Sequence, residues 1–251
     1  MKAEEPRSGL AASAPAPPSG LILFAMREER DPFLARVRRA GWPLRRRSGS
    51  AGRRHDLEAP GLLAEVRLTG PGEVNLNEVL AQVERPEILI HPGFAGALQA
   101  GIERGNVFRI AATRCGDGLT EVAPSPLAGR LPHLDQARIV SVDAPADRET
   151  KSRMAAARVA ELVDMESAPA HAFCRARGIP YLGLRAVSDR VDDALPRALV
   201  RSWDGRRFRI GGLVARALID PRLLRSLLDL RRASQCAAEA LAAELMRLLG
   251  D

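Results

Sequence analysis

The sequence predicts an α/β protein whose sheet is covered by helices on both faces, and three observations support this prediction. Short apolar runs, such as GLILFAM at 20–26 and EILIHPG at 87–93, have the length and continuity of buried strands. Amphipathic segments with helical spacing alternate with these runs, for example at 27–41 and 147–160. From residue 197 onward the pattern is helical only. We therefore expect one sheet domain followed by a C-terminal helical extension packed on it.

The individual elements follow in order along the chain. A strand at 20–26 precedes a helix that ends at Gly41, and two strands are expected within 44–70. A helix follows the Pro-Gly turn at 71–72, and the strand 87–93 is expected to end in a small-residue turn, GFAGAL. The remaining predicted elements are strands at 105–113, 137–143, 161–165 and 179–189, a long loop at 121–133, and helices at 147–160 and 168–178.

The length and the cysteine content of the chain limit its domain organisation and its location. A chain of 251 residues can bury one full core, so we expect a single α/β domain over 20–196 and the helical extension over 197–251. Residues 1–19 are broken by prolines and lack the apolar centre of a secretory signal, which predicts a disordered leader. Three widely spaced cysteines fit neither a disulfide framework nor a metal site, which favours a cytoplasmic location. No apolar run is long enough for integral membrane association.

The charge of the chain raises the possibility of nucleic-acid binding. The net charge is +7, but Lys2 and Lys151 are the only lysines, arginines are spread over the whole chain, and aromatic residues are only 4%. Nucleic-acid binding is therefore not favoured as the main role. We interpret the basic runs at 36–47 and 223–233 as solvated helix faces and loop edges, with contact to anionic lipid or phosphate as the alternative.

Acidic and small residues follow several of the predicted strands. Ligands of open α/β sheets bind beyond the carboxyl ends of the strands, so residues at these ends are candidates for a site. A single acid there is commonly the cap of the next helix, but three acids beside a glycine-rich turn favour a site. The residues at the four strand ends are Met26 to Glu29, Gly93 to Gly96, Met165 with Glu166, and Ser188 with Asp189.

Five motifs occur in the order and spacing of a known family. ILFAMREE, HPGFAGAL, GIERGNVF, VDMES and LRAVSD, between about residues 20 and 190, resemble the nucleoside phosphorylase superfamily. The resemblance is closer to its nucleosidase branch, which includes methylthioadenosine/S-adenosylhomocysteine nucleosidases and hopanoid-associated phosphorylase-like proteins, and the helical tail looks more like the latter. It implies a single-domain three-layer sandwich with a mixed, twisted central sheet.

The resemblance also implies an activity and roles for individual residues. The implied reaction is hydrolysis of the N-glycosidic bond of an adenine-type purine nucleoside, such as methylthioadenosine, S-adenosylhomocysteine or another 5′-substituted adenosine, including one with a large apolar 5′ group. Asp189 matches the general acid, which must hold or share a proton near neutral pH, and Glu29 the carboxylate that activates water. Glu166 matches the group that holds the ribose hydroxyls, and Met165 the apolar wall under the sugar. The other substrate-binding residues we expect are Phe94, Ala95, Gly96, Ser188 and Arg185.

Two alternatives to hydrolysis remain open. A carboxylate at position 29 repels phosphate, but Arg27 and Arg30 could receive it, so a phosphate-dependent nucleoside phosphorylase is one alternative. A non-catalytic nucleoside-binding homologue is the other, although it would have no need of an acid at Asp189. The resemblance implies no cofactor and no metal, a nucleoside as the partner, and a homodimer or larger homo-oligomer.

Several residues depart from the family pattern or are open to a structural interpretation. Phe94 replaces a small hydroxyl residue, and Pro145 stands where an aromatic ring would face the purine, so we expect Phe94 to stack on the base. His91 and His171 are interpreted as structural groups. Asp164 is expected to pair with an arginine or a backbone group, and Arg185 is either a supporting residue of the site or an ordinary ion-pair partner.

Overall fold

The computed structural model describes residues 19–49, 52–116, 118–193 and 195–250. The predicted leader lies outside the described residues except for Ser19, at which the first strand begins.

A single mixed sheet forms the centre of the described part of the chain. Its strands are β1 (Ser19–Phe24), β2 (Leu44–Gly49), β3 (Gly52–Ala59), β4 (Leu62–Leu68), β5 (Ile88–Ala97), β6 (Val107–Cys115), β7 (Gly118–Glu121), β8 (Gln136–Ser141), β9 (Leu162–Asp164) and β10 (Tyr181–Asp189). Their order is β10-β6-β8-β9-β5-β1-β4-β3-β2, with β7 paired to β6. Because β5 also pairs with β10, the strands β5, β10, β6, β8 and β9 close into a ring, from which β1, β4, β3 and β2 extend as an open sheet.

Helices cover both faces of the sheet. They are α1 (Arg27–Arg39), α2 (Glu73–Leu80), α3 (Arg148–Ala156), α4 (Ser167–Arg177), α5 (Arg197–Arg201), α6 (Ile210–Ala217) and α7 (Pro221–Gly250). On one face Phe24 of β1 packs with Phe33 of α1 and Leu245 of α7, and on the other Leu23 packs with Leu76 of α2 and Cys174 of α4. Successive side chains of β1 point to opposite faces of the sheet. Because helices cover both faces, the strand has to be apolar throughout. The predicted three-layer α/β sandwich is therefore confirmed.

Two local predictions were wrong. The segment 44–70 contains three strands rather than two, because β2 and β3 form a hairpin whose arginine-rich sequence lacks an apolar pattern. The predicted turn GFAGAL instead continues β5 as far as Ala97, paired in parallel with β10. A Cβ atom on Gly96 would lie 2.9 Å from Oδ2 of Asp189, so the absence of a side chain lets the two strand ends approach.

The C-terminal helices pack on the same body as the sheet. Helix α7 lies against α1 and β10, and Leu241, Leu245 and Leu248 are fully buried in the core between them. Within the described ranges, no helix combines the length and the apolar character needed to cross a bilayer.

Candidate active site

A cavity of about 1180 Å³ opens beyond the carboxyl ends of β1, β5, β9 and β10. Its position follows from the topology, since the ring closure of β5 with β10 and β9 brings these ends together. The structure brings eight of the nine predicted site residues to its wall, and Arg185 is not among them. The eight are Glu29, Phe94, Ala95, Gly96, Met165, Glu166, Ser188 and Asp189.

Glu29 connects the ends of two strands. It lies in the first turn of α1, where its Oε2 accepts a hydrogen bond of 2.9 Å from the N–H of Met26. Its Oε1 accepts another of 2.9 Å from the N–H of Phe94 in β5. Burial raises the pKa of Glu29, and these hydrogen bonds and the positive charge of Arg185 oppose the shift. The carboxyl group is thus held in one orientation and is more basic than an exposed glutamate.

Glu166 faces Glu29 across the cavity floor from the N-terminus of α4. Its Oε1 accepts a 2.5 Å hydrogen bond from the N–H of Gly72, in the turn before α2. Burial and the negative charge of Asp164 raise the pKa of Glu166 to about 8, and Glu29 adds to the shift while the Gly72 hydrogen bond opposes it. The raised pKa favours the protonated form of Glu166 near neutral pH.

Arg185 and Asp164 form a buried ion pair close to these two carboxyl groups. Arg185 is 1% exposed, and its Nε donates to Oδ2 of Asp164 over 2.9 Å while Nη1 donates to the carbonyl oxygen of His91. Asp164 also accepts from Oγ of Ser141 at 2.6 Å and from the N–H of Ser167 at 2.9 Å. Asp164 thus has the pairing predicted for it, with an arginine and with a backbone group, although it also borders the cavity. Arg185 acts as its ion-pair partner and influences Glu29 by charge, without reaching the cavity.

Asp189, the last residue of β10, is hydrogen-bonded on both of its oxygens. Oγ of Ser188 donates to Oδ1 over 2.6 Å, and Nζ of Lys151 donates to Oδ2. Lys151 lies on α3, is fully buried, and donates a second hydrogen bond of 2.6 Å to the carbonyl oxygen of Arg190. A buried ammonium group therefore lies directly behind the carboxyl group to which the acid role was assigned.

Lys151 is the residue of the site that the sequence reasoning missed. One signal could have found it: it is one of two lysines in a chain where the other 36 basic residues are arginine. A compact ammonium group fits a buried position that the larger guanidinium cannot fill, so a lysine among so many arginines indicates a specific requirement.

The C-terminal segment supplies an apolar wall of the same cavity. Leucines and other apolar residues from 195 to 230 face the opening across from the carboxyl groups, and Phe94 and Pro145 lie on the wall as well. The apolar lining residues of this segment are Leu195, Leu199, Phe208, Ile210, Leu213, Val214, Leu227 and Leu230. The cavity is thus polar at the strand ends and apolar where the helical extension covers it.

The histidines lie away from the cavity. Nδ1 of His91 is 3.2 Å from the hydroxyl of Tyr181, and burial with the charge of Arg185 holds the pKa of His91 well below its usual value. Nδ1 of His171 is 2.9 Å from Oγ1 of Thr113. Both positions fit the structural interpretation. In the part of the chain that the structure describes, no group of three or more acidic, histidine or cysteine side chains is placed to hold a metal ion.

Part of the chain is similar in sequence to a known superfamily. Residues 112–208 match the sequence model of the phosphorylase superfamily, which confirms the predicted resemblance to the nucleoside phosphorylase superfamily. No curated protein matches the chain in sequence.

Three solved structures illustrate the likeness. Futalosine hydrolase of Helicobacter pylori is 16% identical, with 92% of this chain and 97% of that chain covered and a TM-score of 0.68. The methylthioadenosine/S-adenosylhomocysteine nucleosidase of the same organism is also 16% identical over 92% and 97%, with a TM-score of 0.67. The methylthioadenosine nucleosidase of Arabidopsis thaliana is 20% identical over 94% and 98%, with a TM-score of 0.66. At these identities the likeness establishes the fold, and the chemistry has to be argued from the site.

Proposed function

We propose that the protein is a nucleosidase that hydrolyses the N-glycosidic bond of an adenine-type purine nucleoside. The observation that carries the proposal is the convergence of Glu29, Glu166 and Asp189 at one end of a cavity large enough for a nucleoside. Breaking this bond passes through a sugar with oxocarbenium character, which needs a nucleophile, a proton for the leaving base and a hold on the ribose. Three carboxyl groups with different surroundings can divide these tasks among themselves.

Glu29 is the proposed general base. It takes a proton from the water that attacks the anomeric carbon, and a pKa raised by burial makes its carboxylate a stronger base than an exposed one. Its two hydrogen bonds from backbone N–H groups fix its direction, so one lone-pair region of each oxygen remains for the water.

Glu166 is the proposed ribose-binding group, with Met165 as the apolar surface beside it. A carboxyl group that carries a proton at neutral pH can both donate to one ribose hydroxyl and accept from the other. Its hydrogen bond from Gly72 leaves the second oxygen, Oε2, for the sugar.

Asp189 and Lys151 together are the proposed source of the proton for the base. Asp189 lies within the cavity wall and would face N7 of the purine, while Lys151 behind it holds a proton on the shared hydrogen bond. Ser188 orients the other oxygen of Asp189. Phe94 and Phe208, both on the wall, are the aromatic surfaces that we propose for stacking on the base.

The apolar wall of 195–230 favours a nucleoside with a large apolar 5′ group. A methylthio group would fill a small part of a cavity of about 1180 Å³, and burying further apolar surface stabilises the complex by roughly 25 cal/mol per Å². We therefore place methylthioadenosine and S-adenosylhomocysteine among the accepted substrates and expect a bulkier apolar 5′ substituent to bind more tightly.

Phosphorolysis is the second candidate reaction, because Arg27 lies on the cavity wall beside Glu29. Arg30, the other arginine considered for phosphate, forms a 2.5 Å ion pair with Asp31 instead. Buried carboxyl groups on the same wall repel an anion and make a weak phosphate site, so water remains the favoured nucleophile.

The test compares purine release with and without phosphate. The purified protein is incubated with methylthioadenosine, S-adenosylhomocysteine, adenosine and inosine, and free base and sugar phosphate are measured. Base release without phosphate supports hydrolysis, and release only with phosphate would transfer the assignment to a phosphorylase. Glu29→Gln is expected to abolish hydrolysis, whereas Glu84→Gln, at an exposed position away from the cavity wall, serves as its control and keeps activity. Binding without any turnover would favour the non-catalytic homologue.

Assembly and compartment complete the proposal. We propose a homodimer or larger homo-oligomer located in the cytoplasm, as the family resemblance and the spacing of the three cysteines suggest. Analytical ultracentrifugation of the full chain measures the oligomeric state directly, and a monomer at all concentrations would contradict it.

A further inference from the structure

Exposed apolar side chains are concentrated in one short part of the chain. Of nine large apolar side chains that are exposed among the described residues, six lie between 210 and 228. Leu218 and Ile219, in the turn between α6 and α7, are 79% and 84% exposed. We call this surface the 210–228 face; its members are Ile210, Val214, Leu218, Ile219, Leu224 and Leu228. Exposed apolar side chains concentrated in this way are typical of a site of association.

The same region carries the excess positive charge of the protein. Between residues 197 and 232 there are ten arginines and three aspartates, a net +7 that equals the net charge of the whole chain. All ten arginines are exposed. Among the described residues, no carboxyl group lies within ion-pair distance of Arg216, Arg222 or Arg225, which lie beside the 210–228 face. The cations there are available to an external anionic partner.

The two helices have the pattern of segments that lie in a membrane interface. In α6, Leu213 and Ala217 are buried while Ile210 and Val214 are exposed, and in α7 Leu224 and Leu228 are one turn apart with Arg225 between them. Arginine side chains can lay their aliphatic part along apolar surface and keep the guanidinium at the headgroups. Exposed apolar side chains and exposed arginines on the same two helices match the two components of interfacial binding.

We propose that the 210–228 face docks the protein on the surface of a bilayer that contains anionic lipid. Charge complementarity favours this partner over a second copy of the chain, because a symmetric contact would bring each arginine-rich surface against itself. The exposed aliphatic side chains insert among the acyl chains near the headgroups, and the arginines bind the lipid phosphates.

Docking in this way would place the mouth of the cavity at the membrane. Ile210 and Val214 belong to the 210–228 face and also line the cavity. A nucleoside with a large apolar 5′ group could therefore pass between the bilayer and the cavity without exposing that group to water. This consequence rests on the proposed function, whereas the docking itself does not.

Vesicle sedimentation with the full-length chain tests the docking, and it requires no turnover. Binding is measured to vesicles of phosphatidylcholine alone and of phosphatidylcholine mixed with phosphatidylglycerol, at low and high salt. We expect at least tenfold tighter binding to the anionic vesicles, weakened by salt. Arg222→Gln with Arg225→Gln should weaken it by about fivefold for each arginine removed. Leu218→Gln with Ile219→Gln should weaken vesicle binding further at high salt, because insertion of the apolar side chains contributes most of the affinity there.

Matched control variants lie on helices of the opposite face of the sheet. Arg175→Gln with Arg177→Gln on α4 removes the same charge, and Val74→Gln on α2 removes one exposed apolar side chain. Thermal unfolding verifies that each variant is folded, and Ile219→Gln alone replaces the double variant if that one is destabilised. The proposal would be overturned if the control variants lost as much vesicle binding as the variants of the 210–228 face. It would also be overturned if the parent chain bound both kinds of vesicle equally or bound neither. One further result would overturn the proposal. If Leu218→Gln with Ile219→Gln converts an oligomer to a monomer while vesicle binding stays unchanged, the 210–228 face serves self-association instead.

Discussion

Lys151 and Asp189 form an ion pair that joins α3 to the end of β10 at the wall of the cavity. The ammonium group is fully buried, and its second hydrogen bond goes to a backbone carbonyl of the residue that follows Asp189. The pair therefore fixes both the side chain of Asp189 and the backbone beside it. Its energetic and catalytic contributions can be separated by substitution.

Replacing Asp189 by Asn should remove catalysis while the fold is kept. Asn retains an oxygen that can accept from Lys151 but cannot pass a proton to the leaving base, so we expect kcat to fall by about 10² to 10⁴. Base release from methylthioadenosine measures this loss. Asp192→Asn, at an exposed position three residues later, is the matched control and should retain the full rate. An unchanged rate in Asp189→Asn would refute the assigned acid.

Replacing Lys151 by Met should destabilise the protein. It leaves the carboxyl group of Asp189 buried without its cation, and breaking a buried pair from one side costs roughly 3–5 kcal/mol. Combining Lys151→Met with Asp189→Asn removes both charges, so the double variant should recover part of that loss. Free energies of unfolding from urea titrations of the four proteins give the coupling energy, and strictly additive effects would show that the pair contributes nothing.

The stability of the protein should depend on pH through Glu166. Its pKa is about 8 in the folded protein against an ordinary value near 4.5, so the folded state binds the extra proton between these values. Stability should therefore be highest at the acidic end of this range and fall as pH rises to about 8, by at most about 1.4 kcal/mol per pH unit. Glu166→Gln, which keeps an acceptor for Gly72, should flatten this fall and unfold at higher temperature than the parent at pH 8.

Thermal unfolding over this pH range measures the effect. Glu58→Gln, at an exposed position of β3, is the control for removal of a glutamate and should leave the slope as it is. A slope that survives in Glu166→Gln would show that other groups take up the proton.

The apolar wall should decide how large a 5′ group the protein accepts. Leu230→Trp on α7 adds volume to the wall opposite the carboxyl groups, so it should raise KM for adenosines with long alkylthio 5′ groups by about tenfold or more. Methylthioadenosine leaves that part of the cavity empty, and its KM should change little. Steady-state kinetics with a series of alkylthioadenosines of increasing length gives the comparison. An equal effect on every member of the series would contradict the assignment of this wall to the 5′ group.

The elements that could be predicted from the sequence are those whose signal is local. The apolar run of β1 and the helical spacing of α1 are contained in their own residues, as is the glycine that ends the helix at Gly41, with φ of +73°. The strand-end position of Glu29, Glu166 and Asp189 follows from the same local pattern combined with the rule for open α/β sheets. The location of residues at the cavity wall could therefore be predicted where they are adjacent to a strand end, while their roles stay predictions.

The features that were missed depend on contacts between distant parts of the chain. Most of residues 93–97 are small, which predicts a turn, and pairing with β10 and β9 makes them a strand instead. Lys151 looks like an ordinary residue of an amphipathic helix until α3 is placed against β10. The contribution of 195–230 to the cavity likewise depends on how the helices fold back over the sheet, which helical spacing does not encode.

The pairing of β5 with β10 has a consequence for the synthesis of the protein. Glu29 is synthesised well before the strand that carries Asp189 and completes the ring, and the α7 residues of the cavity wall follow that strand. Contacts so far apart along the chain form slowly, because a long loop must close before any of them contributes. Until these contacts form, Glu29 and Glu166 have no folded structure around them in which to be buried. The cavity can therefore be complete only after β10 and α7 have both been made.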